Sequence, residues 1–330
     1  MKVQQIDTKI VKIPLKTPFI TALRHVKNVE FVRVCVTFYD GTTAFGEAPA
    51  TKAITGEDLD DIVNAVQRVK SLLLGLNAAD ALQILHMQDI GSSAKAALDM
   101  ALYFQIYTLN AVDKSPIKTD ITISLNDKKT MLEDAKKAFE NGYDILKVKL
   151  GSDITHAIEV TKSLSFELPE ALLLIDANQA WGLQDSLTYV NAVKELKIEL
   201  IEQPVLASDL ESLKLIKKAS KIPILADEAA FDLADVKKIY ENQAADMINI
   251  KLMKCAGVSK AIEILEYARE KKITCMLGSM LEGPLSINAA MKLAFSYRDV
   301  IKYVDLDSPL LYAKTPEMIG DFVLKTNTIK

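Results

Sequence analysis

The C-terminal two thirds of the sequence is constrained most strongly by an alternation of short apolar runs with amphipathic helical segments. From about residue 113 onward, eight apolar runs recur, and segments with helical periodicity separate them. The runs are "IKTDITISL", "DILKVKLG", "ALLLIDANQ", "IELIEQP", "IPILADEAA", "DMINIKLMK", "KITCMLGSM" and "IKYVDLDSP". Such strand–helix repetition is typical of a parallel β/α barrel.

The N-terminal third follows a different pattern. "KVQQIDTKIVKIPL" and "VEFVRVCVTFYDG" alternate polar and apolar residues as in an antiparallel sheet, and residues 56–110 then show helical periodicity. We therefore predict an α/β fold, a parallel (β/α)7β TIM-like barrel over residues 113–312 with an N-terminal α+β capping domain over residues 1–112. The C-terminal tail, residues 313–330, is expected to return to the capping domain.

The composition excludes several functional classes. The net charge of −4 and the 25% of charged residues give no sign of a nucleic-acid partner. The apolar runs are interrupted well before the roughly 20 residues that a membrane helix needs, so no membrane association is expected. The three cysteines lack CxxC spacing, and the N-terminus alternates as a strand instead of resembling a signal peptide. These features favour a cytoplasmic protein.

Charged residues end successive predicted strands of the barrel. Lys149, Asp176, Glu202, Asp227 and Lys251 follow one another at intervals of 27, 26, 25 and 24 residues. These intervals are close to the roughly 30 residues of one βα unit. The C-terminal ends of barrel strands converge on the mouth where active sites lie. The five charged groups are therefore expected to face one pocket.

The three acids of this series predict a metal site. Asp176, Glu202 and Asp227 would repel one another strongly unless a cation lay among them. Carboxylate oxygens suit a hard divalent ion, and Mg²⁺ fits best. The alternative is that each acid caps the helix that follows its strand.

The lysines predict acid/base chemistry. Lys149 and Lys251 come from strands on opposite sides of the acids, and Lys147 shares a strand face with Lys149. A neighbouring ammonium and a nearby dication both lower the pKa of a lysine, which a general base at neutral pH requires. The alternative is that the side chains snorkel to solvent at a strand end.

A metal ion and a base of lowered pKa together suit the removal of a proton α to a carboxylate. The cation would take up the charge that develops as an enediolate forms. Two bases on opposite faces allow removal from one side and return from the other. The predicted reaction is therefore a racemisation or epimerisation.

At these motifs the chain resembles the enolase superfamily, its mandelate racemase/muconate-lactonising subgroup, and within it the dipeptide epimerases. The motifs are "KVK", "DAN", "EQP", "ADE" and "IK" on the second to sixth barrel strands. The resemblance implies an isomerase in which Lys149 and Lys251 are the acid/base catalysts. It also implies that Asp176, Glu202 and Asp227 bind Mg²⁺.

The same resemblance assigns supporting residues. Lys147 would contact the substrate carboxylate and tune Lys149, and Asn178 and Glu228 would support the metal ligands. Thr122 and Ser279 match substrate-contact positions at strand ends. The resemblance leaves open a homo-oligomer.

The eighth strand predicts which substrate is bound. Asp305 and Asp307 share a face of "YVDLDSPL" and would attract a cationic group, unless one of them caps the next segment. The resemblance implies that this pair holds the free α-ammonium of a dipeptide. Arg24, in the loop after the first strand, would bind a side-chain carboxylate if it reaches the pocket. These features favour a small-molecule dipeptide such as Ala-Glu, from peptidoglycan turnover.

Other functions of the subgroup stay open at this point. The alternatives are an o-succinylbenzoate synthase, which would use one lysine as base, and an N-acylamino acid racemase. The Asp305/Asp307 pair argues against both, because their substrates carry no ammonium at that place. A non-catalytic binding barrel is disfavoured by the complete set of acids and lysines. Gly283 stands where relatives commonly have Ser or Thr, which leaves the role of Glu282 open.

Overall fold

The N-terminal third of the chain folds as a three-stranded antiparallel sheet backed by helices. The structure, a computed structural model, describes residues 1–22 and 25–330. The sheet has the order β1-β2-β3. Its elements and the helices that follow are β1 (Val3–Ile20), β2 (His25–Phe38), β3 (Thr43–Pro49), α1 (Lys52–Thr55), α2 (Leu59–Leu73), α3 (Ala78–His86) and α4 (Ser92–Tyr103).

Alternation within β2 decides which face of this sheet is covered. Val32, Val34 and Val36 are buried, and α4 packs on β2 and β3. The approach is close at Gly46, where a Cβ would lie 1.9 Å from the Ala97 backbone oxygen. Only glycine allows the helix to lie so near the strand.

The barrel follows as eight parallel strands with helices between them, so the predicted fold is confirmed. A short strand, β4 (Ile117–Lys118), precedes the barrel. The barrel elements are β5 (Ile121–Ile123), α5 (Lys128–Glu140), β6 (Ile145–Lys149), α6 (Ile154–Glu167), β7 (Leu172–Asp176), α7 (Leu183–Val193), β8 (Ile198–Glu202), α8 (Leu210–Ala219), β9 (Ile224–Ala226), α9 (Leu233–Asn242), β10 (Met247–Lys251), α10 (Leu252–Cys255), α11 (Val258–Lys271), β11 (Thr274–Gly278), α12 (Pro284–Ser296), β12 (Ile301–Asp305) and α13 (Ser308–Leu311).

Strands β5 to β12 lie side by side in sequence order. The backbone N–H of Asp120 donates to the Val304 oxygen at 3.1 Å, and the Leu306 N–H donates to Thr119 Oγ1 at 2.8 Å. These bonds join the segment before β5 to β12. They close the barrel, so that all eight C-terminal strand ends face one mouth.

The C-terminal tail forms β13 (Met318–Ile319), β14 (Phe322–Lys325) and β15 (Thr328–Ile329). These strands make a small sheet with β4, in the order β13-β14-β15-β4. Earlier in the tail, the Ala313 N–H donates to the Pro14 oxygen of β1 at 2.7 Å. The tail therefore touches both the N-terminal sheet and the start of the barrel, and the division of the chain at residues 112 and 313 stays a prediction.

Two buried acids fix the N-terminal module over the barrel. Asp99 of α4 accepts from the backbone N–H of Val258 at 2.6 Å, and Glu47 of β3 accepts from that of Leu285 at 2.8 Å. Each acid thus sits at the start of a barrel helix, α11 or α12, where the helix dipole favours a negative charge. The cap is held at two points, one of them beside the barrel mouth.

Among the described residues, no helix combines the length and the apolar character that crossing a membrane requires.

Candidate active site

The charged strand ends meet at the barrel mouth as their spacing predicts. Lys149, Asp176, Glu202 and Lys251 are the last residues of β6, β7, β8 and β10, and Asp227 directly follows β9. Parallel register places Asp176 beside both Lys149 and Glu202. All five residues are buried, with at most 6% of their surface exposed. We call Asp176, Glu202 and Asp227 the strand-end triad.

Neither structural alternative for these residues is observed. Helices α7, α8 and α9 begin after the N-caps Gly182, Asp209 and Asp232, so the strand-end triad caps none of them. The lysines do not snorkel either, because Lys147 is fully buried and only 6% of Lys149 is exposed. Burying charges is costly unless they are paired, so their surroundings must supply partners.

Lys147 lies beneath the pocket at the centre of the acids. Its Nζ lies 2.6 Å from Asp305 Oδ2, 2.7 Å from Glu202 Oε2 and 3.3 Å from Asp176 Oδ2. Burial opposes its charge, but its carboxylate partners outweigh burial and raise its pKa well above the usual value. Burial and the neighbouring Asp176 raise the pKa of Glu202 to about 7, against the attraction of Lys147. Lys147 is therefore a buried, charged counterion of these carboxylates.

The two outer lysines each hold one acid of the triad. Lys149 Nζ donates to Asp176 Oδ2 at 2.5 Å, and Lys251 Nζ donates to Asp227 Oδ2 at 2.6 Å. Burial disfavours both carboxylates, but the lysines around them outweigh burial and lower the pKa of each acid. Burial likewise opposes the charge of Lys251, yet attraction to Asp227 raises its pKa.

The raised pKa of Lys251 is opposite to the lowered pKa that the sequence predicts for a lysine base. The expectation assumed a dication between the acids and the lysines, and a neighbouring ammonium on the same strand. In the protein alone, the acids of the triad are turned onto the lysines instead. Direct ion pairs with carboxylates stabilise the ammonium form.

A second acidic cluster is joined to the first through Lys147, which also contacts Asp305. One carboxylate oxygen from each of Asp120, Asp305 and Asp307 falls within 4.8 Å of the other two, and all three residues are buried. We call this cluster the rear triad. Asp307 Oδ2 accepts from the Thr122 N–H at 2.7 Å and makes no side-chain bond that would cap α13. The alternative of a helix cap is therefore not observed.

Asp120 is the member of the rear triad that sequence reasoning missed. Neither of its oxygens has a hydrogen-bond partner among the described residues. Burial, together with the charges of Asp305 and Asp307, raises its pKa well above the usual value. Asp120 precedes its strand, so a search of C-terminal strand ends overlooks it.

The two clusters border one pocket. Its lining includes both outer lysines and side chains of the cap. It also includes four predicted substrate contacts, the hydroxyl residues Thr122 and Ser279 and the acids Asp305 and Asp307. The residues are Phe19, Thr21, Ala53, Ile54, Thr122, Lys149, Asn178, Asp227, Glu228, Lys251, Ser279, Met280, Leu281, Asp305 and Asp307. Most of the predicted site residues are thus brought together, while Lys147, Asp176 and Glu202 lie beneath them. Arg24 lies outside the described residues.

The predicted supporting residues lie beside the triad. The Asn178 N–H donates to Asp176 Oδ1 at 2.9 Å, and Asn178 Nδ2 donates to Glu228 Oε1 at 3.3 Å. Burial raises the pKa of Glu228 to about 8, helped by the charge of Asp227. Ser279 Oγ donates to the Asp305 backbone oxygen at 3.3 Å, which ties two strand ends at the pocket wall.

Glu282 and Gly283 connect the pocket wall to the cap. Glu282 is buried and accepts from the Met280 N–H at 2.8 Å and from Ser286 Oγ. Burial raises its pKa to about 7. A Cβ at Gly283 would lie 2.4 Å from Glu47 Oε2, so this position admits the cap's carboxylate instead of a side chain. Glu282 therefore shapes the loop that carries Met280 and does not line the pocket itself.

The strand-end triad has the chemistry of a divalent-cation site. It presents carboxylate oxygens from three neighbouring strands, as hard cations prefer. Two buried acceptors there, Asn178 Oδ1 and Glu228 Oε2, have no hydrogen-bond partner among the described residues, and Glu202 Oε2 lies beside the Lys147 ammonium without an aligned hydrogen bond. Buried acceptors without a donor are costly, and a cation satisfies them. The residues present therefore fit Mg²⁺.

Comparison with known proteins defines the class to which this fold and site belong. The sequence profile described as enolase C-terminal domain-like matches residues 130–326. The chain is 54% identical, over 100% of its own length and 99% of the other's, to the L-amino acid-D/L-Glu epimerase of Sulfurimonas denitrificans. The chain belongs to the enolase C-terminal domain-like family.

Solved structures agree with this assignment. The substrate-liganded complex of the L-Ala-D/L-Glu epimerase from Bacillus subtilis matches with a TM-score of 0.93 at 35% identity, covering 100% of this chain and 96% of that one. The dipeptide epimerase from Enterococcus faecalis, complexed with Mg and L-Leu-L-Tyr, matches with a TM-score of 0.91 at 29% identity. That match covers 100% of this chain and 97% of the other.

Proposed function

We propose that the protein is a Mg²⁺-dependent dipeptide epimerase that inverts the α-carbon of the C-terminal residue, with Ala-Glu as its best substrate. The observation that carries this proposal is the placement of Lys149 and Lys251. Both line the pocket, and the three strands that carry the strand-end triad lie between theirs. The names of the relatives support the same activity and a C-terminal Glu.

Lys149 and Lys251 would move the proton. One amine takes the α-proton from one face of the substrate, and the other ammonium returns a proton to the opposite face. Each lysine must first release its partner, Asp176 or Asp227, because a lysine paired with a carboxylate stays protonated.

Asp176, Glu202 and Asp227 would hold the Mg²⁺. When bound, the ion supplies positive charge for the substrate carboxylate, whose charge increases as the α-proton leaves. Lys147 would keep the buried acids compensated through its three ion pairs, and its predicted contact with the substrate carboxylate stays a prediction. Asn178 and Glu228 would support the ligands from the pocket side.

The rear triad would receive the free ammonium of the substrate. Asp305 and Asp307 line the pocket, and Asp120 lies behind them. Only one ammonium of the protein, that of Lys147, pairs with a described member of this cluster. Burial and the charge of Asp305 raise the pKa of Asp307 to about 6, so it is still mainly ionised at neutral pH. An N-acylated substrate carries no charge that this cluster would stabilise.

The free thiols support a reducing compartment, and we propose a cytoplasmic location. Cys255 and Cys275 are buried, and no disulfide links the three cysteines.

A substrate panel tests the proposal. The protein with Mg²⁺ is incubated with L-Ala-L-Glu, with N-succinyl and N-acetyl amino acids, and with the dehydratable precursor of o-succinylbenzoate, and products are separated by chiral chromatography. We expect epimerisation of the dipeptide alone, with loss on chelation of the metal. Turnover of an N-acylamino acid in preference to L-Ala-L-Glu, or dehydration of the precursor, would contradict the proposed function.

A further inference from the structure

In each carboxylate of the strand-end triad, one oxygen accepts a hydrogen bond from a donor that the fold holds in place. Asp176 Oδ1 accepts from the Asn178 backbone N–H at 2.9 Å. Glu202 Oε1 accepts from Asn249 Nδ2 at 2.8 Å. Asp227 Oδ1 accepts from Lys254 Nζ at 2.6 Å.

Among the residues that the structure describes, the second oxygen of each carboxylate meets only ammonium groups. Asp176 Oδ2 and Asp227 Oδ2 accept from Lys149 and Lys251. Glu202 Oε2 lies 2.7 Å from Lys147 Nζ but has no aligned hydrogen bond. These three oxygens are the ones that a cation would claim. Lys149 and Lys251 face the pocket and can move away, and Glu202 Oε2, which accepts no aligned hydrogen bond, can hold a cation while Lys147 stays beside it.

The donors Asn249 and Lys254 are built into the barrel and do not line the pocket. Asn249 is fully buried in β10, and a Cβ on the adjacent Gly278 would lie 2.6 Å from its Oδ1. Lys254 Nζ also donates to the backbone oxygens of Asn249 at 2.9 Å and Asp227 at 2.5 Å. Three acceptors therefore fix its ammonium, in contrast to Lys251, whose ammonium faces the pocket.

We propose that Asn249 and Lys254 are positioning residues that make Glu202 and Asp227 one-oxygen ligands of the metal. A carboxylate with one oxygen on a fixed donor keeps its orientation and offers a single oxygen, so it does not close over the cation with both. Coordination positions then remain for the substrate carboxylate and water. The proposal rests on the proposed function, because it presumes that the strand-end triad binds Mg²⁺.

Titration of Mg²⁺ alone, followed by isothermal calorimetry on the full chain, tests the proposal without relying on activity. Asn249→Leu keeps the branching of the side chain and the local charge but removes the donor. Loss of a hydrogen bond behind a metal ligand weakens metal affinity by about 10–100-fold. We expect the Mg²⁺ dissociation constant of Asn249→Leu to rise by that factor. Asn191→Leu, the same change at an exposed helical site, should bind as the wild type does.

A second pair of variants separates position from charge. Lys254→Met and Lys254→Gln remove the same positive charge, but only Gln keeps a donor near Asp227 Oδ1. We expect Met to bind Mg²⁺ more weakly than Gln. The Mg²⁺-induced infrared difference spectrum gives a further readout, because carboxylate stretching bands distinguish ligation by one oxygen from ligation by two. Asn249→Leu should show a shift toward two-oxygen ligation.

The outcomes are distinguishable. If the wild type binds no Mg²⁺, the proposed function fails and the inference fails with it. If the wild type binds but Asn249→Leu binds equally well, with unchanged infrared bands, only the inference is overturned. Asn249→Ala replaces the leucine variant if the latter does not fold, and the same weakening is expected. Equal affinity of the two Lys254 variants would overturn the assignment of Lys254.

Discussion

The two acidic clusters of the pocket contain the same chemical groups but differ in how their charges are balanced. In the strand-end triad, every carboxylate contacts at least one lysine, and the acids point at ammonium groups. In the rear triad, only Asp305 contacts a lysine, while Asp120 has no hydrogen-bond partner among the described residues. The rear triad is nevertheless the one whose oxygens lie within 4.8 Å of one another.

This difference shows that closeness of carboxylates does not by itself identify the metal site. Four lysines lie against the strand-end acids, and two of them, Lys149 and Lys251, are the groups that a cation and substrate would displace. The rear acids have a single lysine contact among the described residues, and burial together with the repulsion between neighbouring carboxylates raises the pKa of Asp120 and Asp307. Under the proposed function, the metal belongs to the spread cluster and the substrate ammonium to the close one.

The largest loss of activity is expected from replacing Lys149 or Lys251, the two lysines proposed to move the proton. Lys149→Ala and Lys251→Ala each remove one of two proton-transfer groups, which contribute about 10²–10⁴-fold. Epimerisation of L-Ala-L-Glu, followed by polarimetry, should fall by at least that factor in either variant. Lys162→Ala, at an exposed lysine of α6, serves as the control. Normal epimerisation by one of the two pocket variants would rule out the two-base mechanism.

The assignment of the metal can be broken by exchanging one acid in each cluster. Asp176→Asn removes a ligand charge from the strand-end triad and should abolish the calorimetric signal of Mg²⁺ binding. Asp120→Asn removes a carboxyl group from the rear triad and should leave Mg²⁺ binding unchanged. The reverse result would place the cation in the rear triad and would require a new assignment of both clusters.

Two substrates, one with and one without a free ammonium, test whether Asp307 binds the substrate ammonium. Asp307→Asn weakens the attraction for a free ammonium, and breaking a desolvated charge pair costs about 2–5 kcal/mol. We expect kcat/KM for L-Ala-L-Glu to fall accordingly, mainly through KM, while N-acetyl-L-Ala-L-Glu, a poor substrate from the start, is unaffected. Asp185→Asn, at an exposed position of α7, is the matched control. An equal loss for both substrates would show that Asp307 does not read the ammonium.

The smallest effect concerns Glu282, a buried acid that belongs to neither cluster and has no lysine contact. Burial raises its pKa from the usual 4.5 to about 7. Between these values the unfolded chain loses the proton while the folded protein keeps it, so stability falls as pH rises through this range. The limiting slope is about 1.4 kcal/mol per pH unit. Glu282→Gln should flatten the measured pH dependence of unfolding between pH 4.5 and 7, in contrast to the exposed Glu263→Gln.

If Glu282→Gln follows the wild-type curve, the carboxyl is ionised in the folded protein and the description of its loop is wrong. The substitution changes no residue of either cluster, so the difference between the two curves reports on the burial of Glu282.

The sequence predicts the barrel and the strand-end residues because both follow one period. A strand ends about every 25 residues, and Lys149, Asp176, Glu202 and Lys251 each end one. Residues outside that period could not be found in this way. Asp120 precedes its strand, and Lys254 lies in the short helix after β10.

Contacts between distant parts of the chain could not be predicted from the sequence either. The sequence indicates only that Gly283 stands where Ser or Thr is common in relatives. The structure shows that Glu47 of the cap occupies the space beside it. The pKa of Lys251 is a similar case, since its direction depends on which way Asp227 turns. Strand spacing brings groups together but does not determine their pairing.

The account's central claim is that two lysines act on opposite faces of one α-carbon, and hydrogen exchange in D₂O tests it most directly. Lys149→Ala and Lys251→Ala, loaded with Mg²⁺, are each incubated with L-Ala-L-Glu and L-Ala-D-Glu, and deuterium at the C-terminal α-carbon is followed by mass spectrometry. We expect each variant to exchange one diastereomer only, and the two variants to exchange opposite diastereomers. Exchange of both diastereomers by one variant, or of the same diastereomer by both, would contradict the claim.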